Sequence, residues 1–232
     1  MKYILAIILF SLSIGAFSQD ILLQQNVKAD TVRPTRGPNL KNFLQGYVGL
    51  GFPLHTNEEL SYTRPGVSTC FDLGMRYKRR FTNYLAMGLD LGINSTSYKI
   101  KQNGSKTVPD TLINEKEKIQ INTAESAAWL RINVGRRGNA IGNYLDMGAY
   151  GGWNFQKKHK TTNKNGDGEK VKVLTSNLKY VGNFSYGLLA RIGVNRFSLT
   201  ARYRVSDIFN SSYAMPELPR LTVGIEVGLF KN

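Results

Sequence analysis

The sequence predicts an all-β fold, an eight-stranded antiparallel up-and-down transmembrane β-barrel with a polar, plugged lumen. Three observations predict it: eight stretches of period-2 alternation, connections that alternate between short and long, and one strand face that is almost purely apolar.

Composition narrows the alternatives. The chain has 232 residues, with Lys+Arg 31 against Asp+Glu 16, a formal net charge of +15. A single cysteine excludes an intramolecular disulfide framework and every Cys-based zinc site. Two histidines leave little room for a metal centre, so neither a metal nor any other cofactor is expected. A mean hydropathy of −0.28 excludes a polytopic helical membrane protein. It leaves a membrane β-barrel open, because half of each strand in such a barrel is polar.

The one long apolar run is N-terminal. Lys2 supplies a positive start, Tyr3 to Gly15 an apolar core, and Ala16-Phe17-Ser18 a small-x-small cleavage site. This is the pattern of a secretory signal peptide over 1–18, with Gln19 as the new N-terminus. No cysteine follows the cleavage site, so a lipoprotein is not expected, and loss of Lys2 leaves a mature charge of +14. Residues 19–42 are polar, contain Pro34 and Pro38 and show no period, which predicts an extended periplasmic segment.

From Phe43 to the C-terminus (43–232) the alternation begins. Leu44, Val48, Leu50 and Phe52 alternate with Gln45, Tyr47, Gly49 and Gly51. The second strand sets Phe71, Leu73, Met75 and Tyr77 against Cys70, Asp72, Gly74, Arg76 and Lys78. The third sets Leu85, Met87, Leu89, Leu91 and Ile93 against Ala86, Gly88, Asp90, Gly92 and Asn94. The fourth sets Ala128, Leu130, Ile132 and Val134 against Trp129, Arg131 and Asn133. In the fifth, Leu145, Met147, Ala149, Trp153 and Phe155 oppose Asp146, Gly148, Tyr150, Gly152 and Asn154. The sixth carries Phe184 to Val194 against Ser185, Gly187, Arg191 and Gly193. The seventh carries Phe197 to Val205 against Ser198, Thr200, Arg202 and Arg204, and the eighth Leu221 to Leu229 against Thr222, Gly224, Glu226 and Gly228.

Segments 79–83, 135–143 and 195–196 read as short turns, and 53–66, 100–118, 156–177 and 207–219 as longer loops. That layout is expected of an outer-membrane barrel, and an even strand count puts both termini with the periplasmic turns and the long loops outside. A soluble sandwich or lipocalin-like barrel would show the same alternation but bury its apolar face. Three features favour lipid: no charge on the central apolar face, aromatics near the strand ends, and glycines on the crowded polar face. Tyr77 and Phe197 lie by the short turns, and Trp153, Phe155, Phe184 and Tyr186 toward the loops.

The last strand, with Thr222, Gly224, Val227 and Leu229 as polar, small and apolar markers, is similar to the C-terminal assembly signal of outer-membrane barrels. By architecture, 43–232 resembles the small OmpA/OmpX-type barrels, and the Gln-led start resembles the outer-membrane β-barrel (porin-family) proteins of Bacteroidota. Asp30-Thr31-Val32 and Asp110-Thr111-Leu112 resemble the O-glycosylation tripeptide of that phylum. The resemblance implies membrane lipid, lipopolysaccharide and the barrel-assembly machinery as partners.

Eight strands enclose little more than side chains. The inward charges are Asp72, Arg76, Asp90, Arg131, Asp146, Arg191, Arg202, Arg204 and Glu226. Hairpin arithmetic puts Arg131 opposite or diagonal to Asp146 and brings Asp72 near Asp90. Acid–arginine bridges across the lumen are therefore expected, with Glu226 joining from its own strand, because an unpaired buried ion costs several kcal/mol. A filled scaffold is the expected reading, with an ion pathway as its rival.

Catalysis is not expected. A lipid-A hydrolase or acyltransferase would need a histidine beside a serine and an acid, and the only histidines, His55 and His159, are expected to be solvated loop residues. Asn163 to Glu169 partly resembles a calcium loop, but its twelfth position is Leu174, so a hairpin tip is expected. Lys157, Lys158, Lys160, Lys164, Lys170 and Lys172 make the third long loop basic, suited to lipopolysaccharide phosphates or an acidic partner. Arg79-Arg80 and Arg136-Arg137 lie at turns that could meet inner-leaflet phosphates. No aromatic spacing suits base stacking, and nucleic acid is not an expected partner. The expected role is a structural anchor or an accessory subunit of an envelope complex, with a small-solute channel and a lipid-modifying enzyme as alternatives.

Overall fold

A computed structural model describes residues 37–54, 63–64, 67–104, 106–135, 138, 140–166, 168–213 and 215–230. The leader, the lead segment up to 36, His55 and Arg136-Arg137 lie outside the described residues.

The described residues form nine strands: β1 Asn42–Leu54, β2 Thr69–Arg80, β3 Leu85–Lys99, β4 Lys116–Val134, β5 Asn143–Lys164, β6 Lys170–Ser176, β7 Phe184–Val194, β8 Phe197–Arg204 and β9 Leu221–Leu229. Pairing is antiparallel and runs β1–β2–β3–β4–β5–β7–β8–β9. β9 then pairs back onto β1, from Gly46↔Leu229 to Leu54↔Leu221, so eight strands close an up-and-down ring. Closure leaves no ring strand with an unpaired edge. Inward and outward positions alternate along β3, with even numbers inward, and along β4, with odd numbers inward, as the period of two requires.

Three expectations need correction. First, the described residues form a ninth strand beside the expected ring of eight, because 156–177 is not a loop: β5 continues to Lys164, turns at Asn165-Gly166 and returns as β6, which pairs only with β5. Every residue of β6 is exposed, so it buries no face and its alternation carries no amphipathic signal. Second, the 100–118 loop is shorter, since β3 reaches Lys99 and β4 starts at Lys116. Third, the β2–β3 turn is Phe81 to Tyr84, not 79–83. Arg76 therefore faces Asp90, while Asp72 faces Asn94, and the expected Asp72–Asp90 neighbourhood does not form.

The short turns otherwise sit as expected, with Asn195 in the left-handed region (φ 54°) at the tightest of them. Part of the lead segment is described: Gly37 N–H donates to Asn42 O, Arg80 Nη1 donates to Asn39 O, and Lys78 Nζ donates to Pro38 O.

Two kinds of packing fill the ring. Toward the turn end and middle it is polar and charged. Toward the loop end Tyr98, Ile100, Ile119 and Ile121 point inward and meet Val108, Leu178, Val181, Ile208, Phe209 and Leu218 from the loops. The exterior is the reverse: Leu44, Met75, Leu91, Leu130, Met147, Ile192, Leu199 and Ile225 stand exposed on successive ring strands.

Candidate functional site

The interior site is built from one or two inward side chains per strand. Arg76 on β2 lies opposite Asp90 on β3 and holds it with Nε at 3.0 Å and Nη2 at 3.0 Å. Its Nη2 also reaches Glu226 on β9 at 2.6 Å. Arg131 on β4 grips Asp146 on β5 with two parallel bonds, 2.6 and 2.8 Å long. Arg191 on β7 joins the two pairs. Its Nη1 donates to Asp146 at 2.9 Å, its Nη2 to Asp90 at 2.9 Å across the ring, and its Nε lies 3.0 Å from Glu226. That last contact is an ion pair without the alignment of a hydrogen bond. Three arginines thus neutralise three carboxylates in a sealed cluster, in which Asp146 is 0% exposed.

A second group sits nearer the loop end. Arg202 donates from Nη1 to Asp72 at 2.7 Å and from Nη2 to Glu125. Asn94 donates to Asp72 at 2.6 Å and to the Cys70 sulfur at 3.0 Å. Arg204 stands apart from both groups: it pairs with Glu217 at 2.8 Å and caps the carbonyls of Ser206 and Leu218. The expected network therefore divides into a central six, an Arg202 group and a loop anchor at Arg204.

Sequence reasoning missed Glu125 and Tyr144, and it placed Tyr47, Trp129 and Tyr150 inside without their arginine partners. Arg131 stacks 3.6 Å from the Tyr144 ring centre and 4.8 Å from that of Trp129; Arg76 lies 4.5 Å over Tyr47 and Arg202 4.4 Å over Tyr150. Trp129 Nε1 also donates to Asp90 at 2.6 Å. Inward glycines make room for these rings. A Cβ at Gly88 would lie 2.2 Å from Trp129, and one at Gly193 2.1 Å from Tyr144. The signal was available as glycine beside an inward aromatic on the neighbouring strand. A cavity of about 60 Å³ remains beside Arg202 and Tyr150, room for a few waters.

The basic segment does not form one surface. Lys157 is buried and donates to Val181 O and Asn183 Oδ1, both at 2.8 Å, because a bulge at Phe155 turns it inward. Lys158 and Lys160 are half-buried on the strand exterior, and only Lys164, Lys170 and Lys172 stand fully out on the hairpin. On β9, Val227 and Leu229 face outward while Thr222 and Gly224 face in, and the Phe230 ring packs edge-on to Phe43 at 5.4 Å. Thr111 of the tripeptide is exposed. The 163–169 segment is a hairpin tip, closed by Asn165 N–H to Glu169 O at 2.8 Å.

His159 is not a solvated loop residue. Its Nε2 lies 2.7 Å from Glu117 Oε1, and Lys106 Nζ lies 2.6 Å from Glu117 Oε2. Gln102 and Asn114 also donate to Glu117, at 2.8 and 3.0 Å, so this carboxylate ties the 100–115 loop to the strand ends. Burial alone would raise the Glu117 carboxyl, but the bonds from His159, Lys106, Asn114 and Gln102 outweigh it and bring it from 4.5 to about 2. A depressed pKa stabilises the fold above the unfolded value, and that stability is lost as pH falls through the folded value. The unfolding free energy of the wild type, read from urea titration, is thus expected to exceed that of Glu117→Gln by roughly 2 kcal/mol at pH 7. The gap closes between pH 4.5 and about 2. A gap that is constant with pH sinks this assignment.

Among the described residues no group of three or more His, Cys, Asp or Glu is arranged to hold a metal ion. Comparison of the chain with protein-family models and with curated proteins finds no match.

Proposed function

We propose that the chain is an integral outer-membrane β-barrel with a plugged lumen. In this reading it acts without catalysis, as a structural anchor or an accessory subunit of an envelope complex. One observation carries the reading. Polarity is inverted relative to a soluble protein, with fully buried arginines and carboxylates inside the ring and large apolar side chains exposed on every ring strand. A lipocalin-like barrel has the opposite arrangement, and a contiguous apolar exterior of this extent marks contact with lipid or protein. No helix among the described residues is long and apolar enough to cross a membrane, and the closed ring satisfies its strands' backbone groups internally, as spanning strands require.

The filled interior supports a scaffold over a small-solute channel. The engagement of His159 by Glu117 supports a structural role for that histidine over a lipid-modifying one. In this orientation the short turns and both termini face the periplasm and the hairpins face outward.

The test is purification from native membranes in gentle detergent, with a boiled-versus-unboiled gel and mass spectrometry. A heat-modifiable band with a stoichiometric partner is the expected result. A heat-modifiable band alone removes the subunit role, and a protein that stays in the soluble fraction removes the barrel.

A further inference from the structure

The outer face of β3, β4 and β5 carries a feature that the interior network does not use. Register sets Lys99 beside Lys118 and Lys118 beside Lys160, so three adjacent strands place three lysines in one row at the loop end. Like charges directly opposite each other across strands are destabilising, so a row of this kind needs a reason. Arg64 and Lys116 border the same groove, which has a volume of about 380 Å³. Glu117 also lines it, but its carboxylate is taken up by His159 and Lys106. Among the described residues none of the five cations forms a salt bridge, whereas Lys106, Arg204 and Arg220 all do. Burial, then the charges of Lys160 and Lys99, weakens proton binding at Lys118. An anion seated on the row would relieve that repulsion.

The same strands carry two further layers toward the turn end. Ser97, Gln120 and Lys158 form the next row, and Ser95, Asn122 and Gln156 the one after. Ser95 Oγ donates to Asn122 at 2.7 Å and Asn122 Nδ2 to Gln156 at 2.7 Å, making a ladder of hydroxyls and amides. Beyond it the surface sinks. Ser126 pairs with Gly151 and Ala128 with Ala149, giving a floor of small residues. Leu89 on β3 and Phe184, Tyr186 and Leu188 on β7 stand above that floor, in two adjacent grooves of about 640 and 420 Å³.

We propose that this face binds a phosphorylated glycolipid of the lipopolysaccharide type. Its phosphates sit on the Lys99–Lys118–Lys160 row, its sugar hydroxyls on the amide ladder, and an acyl chain in the furrow. The spacing selects this class over a simple phospholipid. Six residue steps lead from Lys118 to Ala124, at the head of the furrow. At ~3.4 Å per residue that is roughly 20 Å along the strand, a gap that sugars span and a glycerol phosphate does not. The inference rests on the membrane reading above, which puts the furrow in hydrocarbon and the lysine row outside.

The test uses the full mature chain in nanodiscs. It compares lipopolysaccharide, dephosphorylated lipopolysaccharide, phosphatidylglycerol and inorganic phosphate as probes. Lys99→Gln/Lys118→Gln/Lys160→Gln is expected to weaken lipopolysaccharide binding on the order of 100-fold. Lys164→Gln/Lys170→Gln/Lys172→Gln removes the same charge from the exposed hairpin and should leave binding within about twofold. Ala128→Leu/Gly151→Leu, which fills the furrow, should also weaken it. The site is overturned if the hairpin triple loses as much as the row triple. It is equally overturned if dephosphorylated lipopolysaccharide, phosphatidylglycerol or phosphate binds as well as lipopolysaccharide. Heat-modifiability of the same samples separates the two ideas: a heat-modifiable barrel without lipopolysaccharide preference loses this site alone.

Discussion

Arg191→Leu is expected to destabilise the strand ring by about 3–5 kcal/mol, the cost of leaving buried charge without its partner. Arg191 is 2% exposed and touches carboxylates on three other strands: Asp146 on its neighbour β5, Asp90 on β3 and Glu226 on β9. Leucine fills much of the volume, so the loss is electrostatic rather than a cavity. It leaves three carboxylates, Asp90, Asp146 and Glu226, with only Arg76 and Arg131 to balance them. Arg204→Leu provides the contrast. That side chain serves one partly exposed carboxylate and loop carbonyls, so a loss of about 1–2 kcal/mol is expected. Urea midpoints in detergent, or the temperature at which the compact gel band is lost, measure both. Adding Asp146→Asn to Arg191→Leu should recover part of the loss, because it removes one of the orphaned charges. If Arg191→Leu matches the wild type, solvent reaches the cluster and the lumen is not plugged.

What the sequence made legible follows from how strongly each position is constrained. Strand faces were readable because a one-residue slip would exchange the polar face for the apolar one on every ring strand. The Arg131–Asp146 pairing was readable because the alternation runs cleanly up to both ends of its turn. The β2–β3 register was not: Phe81 and Tyr84 in the turn look like strand residues, and misplacing the turn moved Asp90 from Arg76 to Asp72. Glu125 was hidden because the outward residues beside it, Ala124 and Ser126, are too small and too weakly apolar to show alternation. Those same small residues make the exterior furrow. The β5–β6 hairpin was invisible because neither face of β6 is buried. The loop-end core of Val108, Leu178, Ile208 and Leu218 was also out of reach, since it assembles from three separate loops with no common period.

The exterior gives the second large effect, and its sign separates lipid from water. Leu89 is the central outward residue of β3, between Leu85 and Ile93, and is 57% exposed. On a protein in water, Leu→Arg at so open a site changes stability by no more than about 0.5 kcal/mol and raises solubility. At the midplane of a bilayer the same change costs about 2–4 kcal/mol, because the guanidinium must be drawn into hydrocarbon or reach far along the wall for water. Leu89→Arg is therefore expected to lower folding stability in lipid vesicles by that amount and to reduce the folded fraction recovered from membranes. Ser95→Arg lies three outward positions along the same strand, beyond the last apolar residue Ile93, and should cost only about 0–1 kcal/mol. The gradient between the two positions is the measurement. Both positions face outward on the same antiparallel strand, and the Ser95–Asn122 hydrogen bond that Ser95→Arg removes works against the gradient, so an excess cost at Leu89 reads depth in an apolar medium. Equal, small effects at Leu89 and Ser95 would put the apolar exterior against water or another protein, and the membrane reading would fall with them.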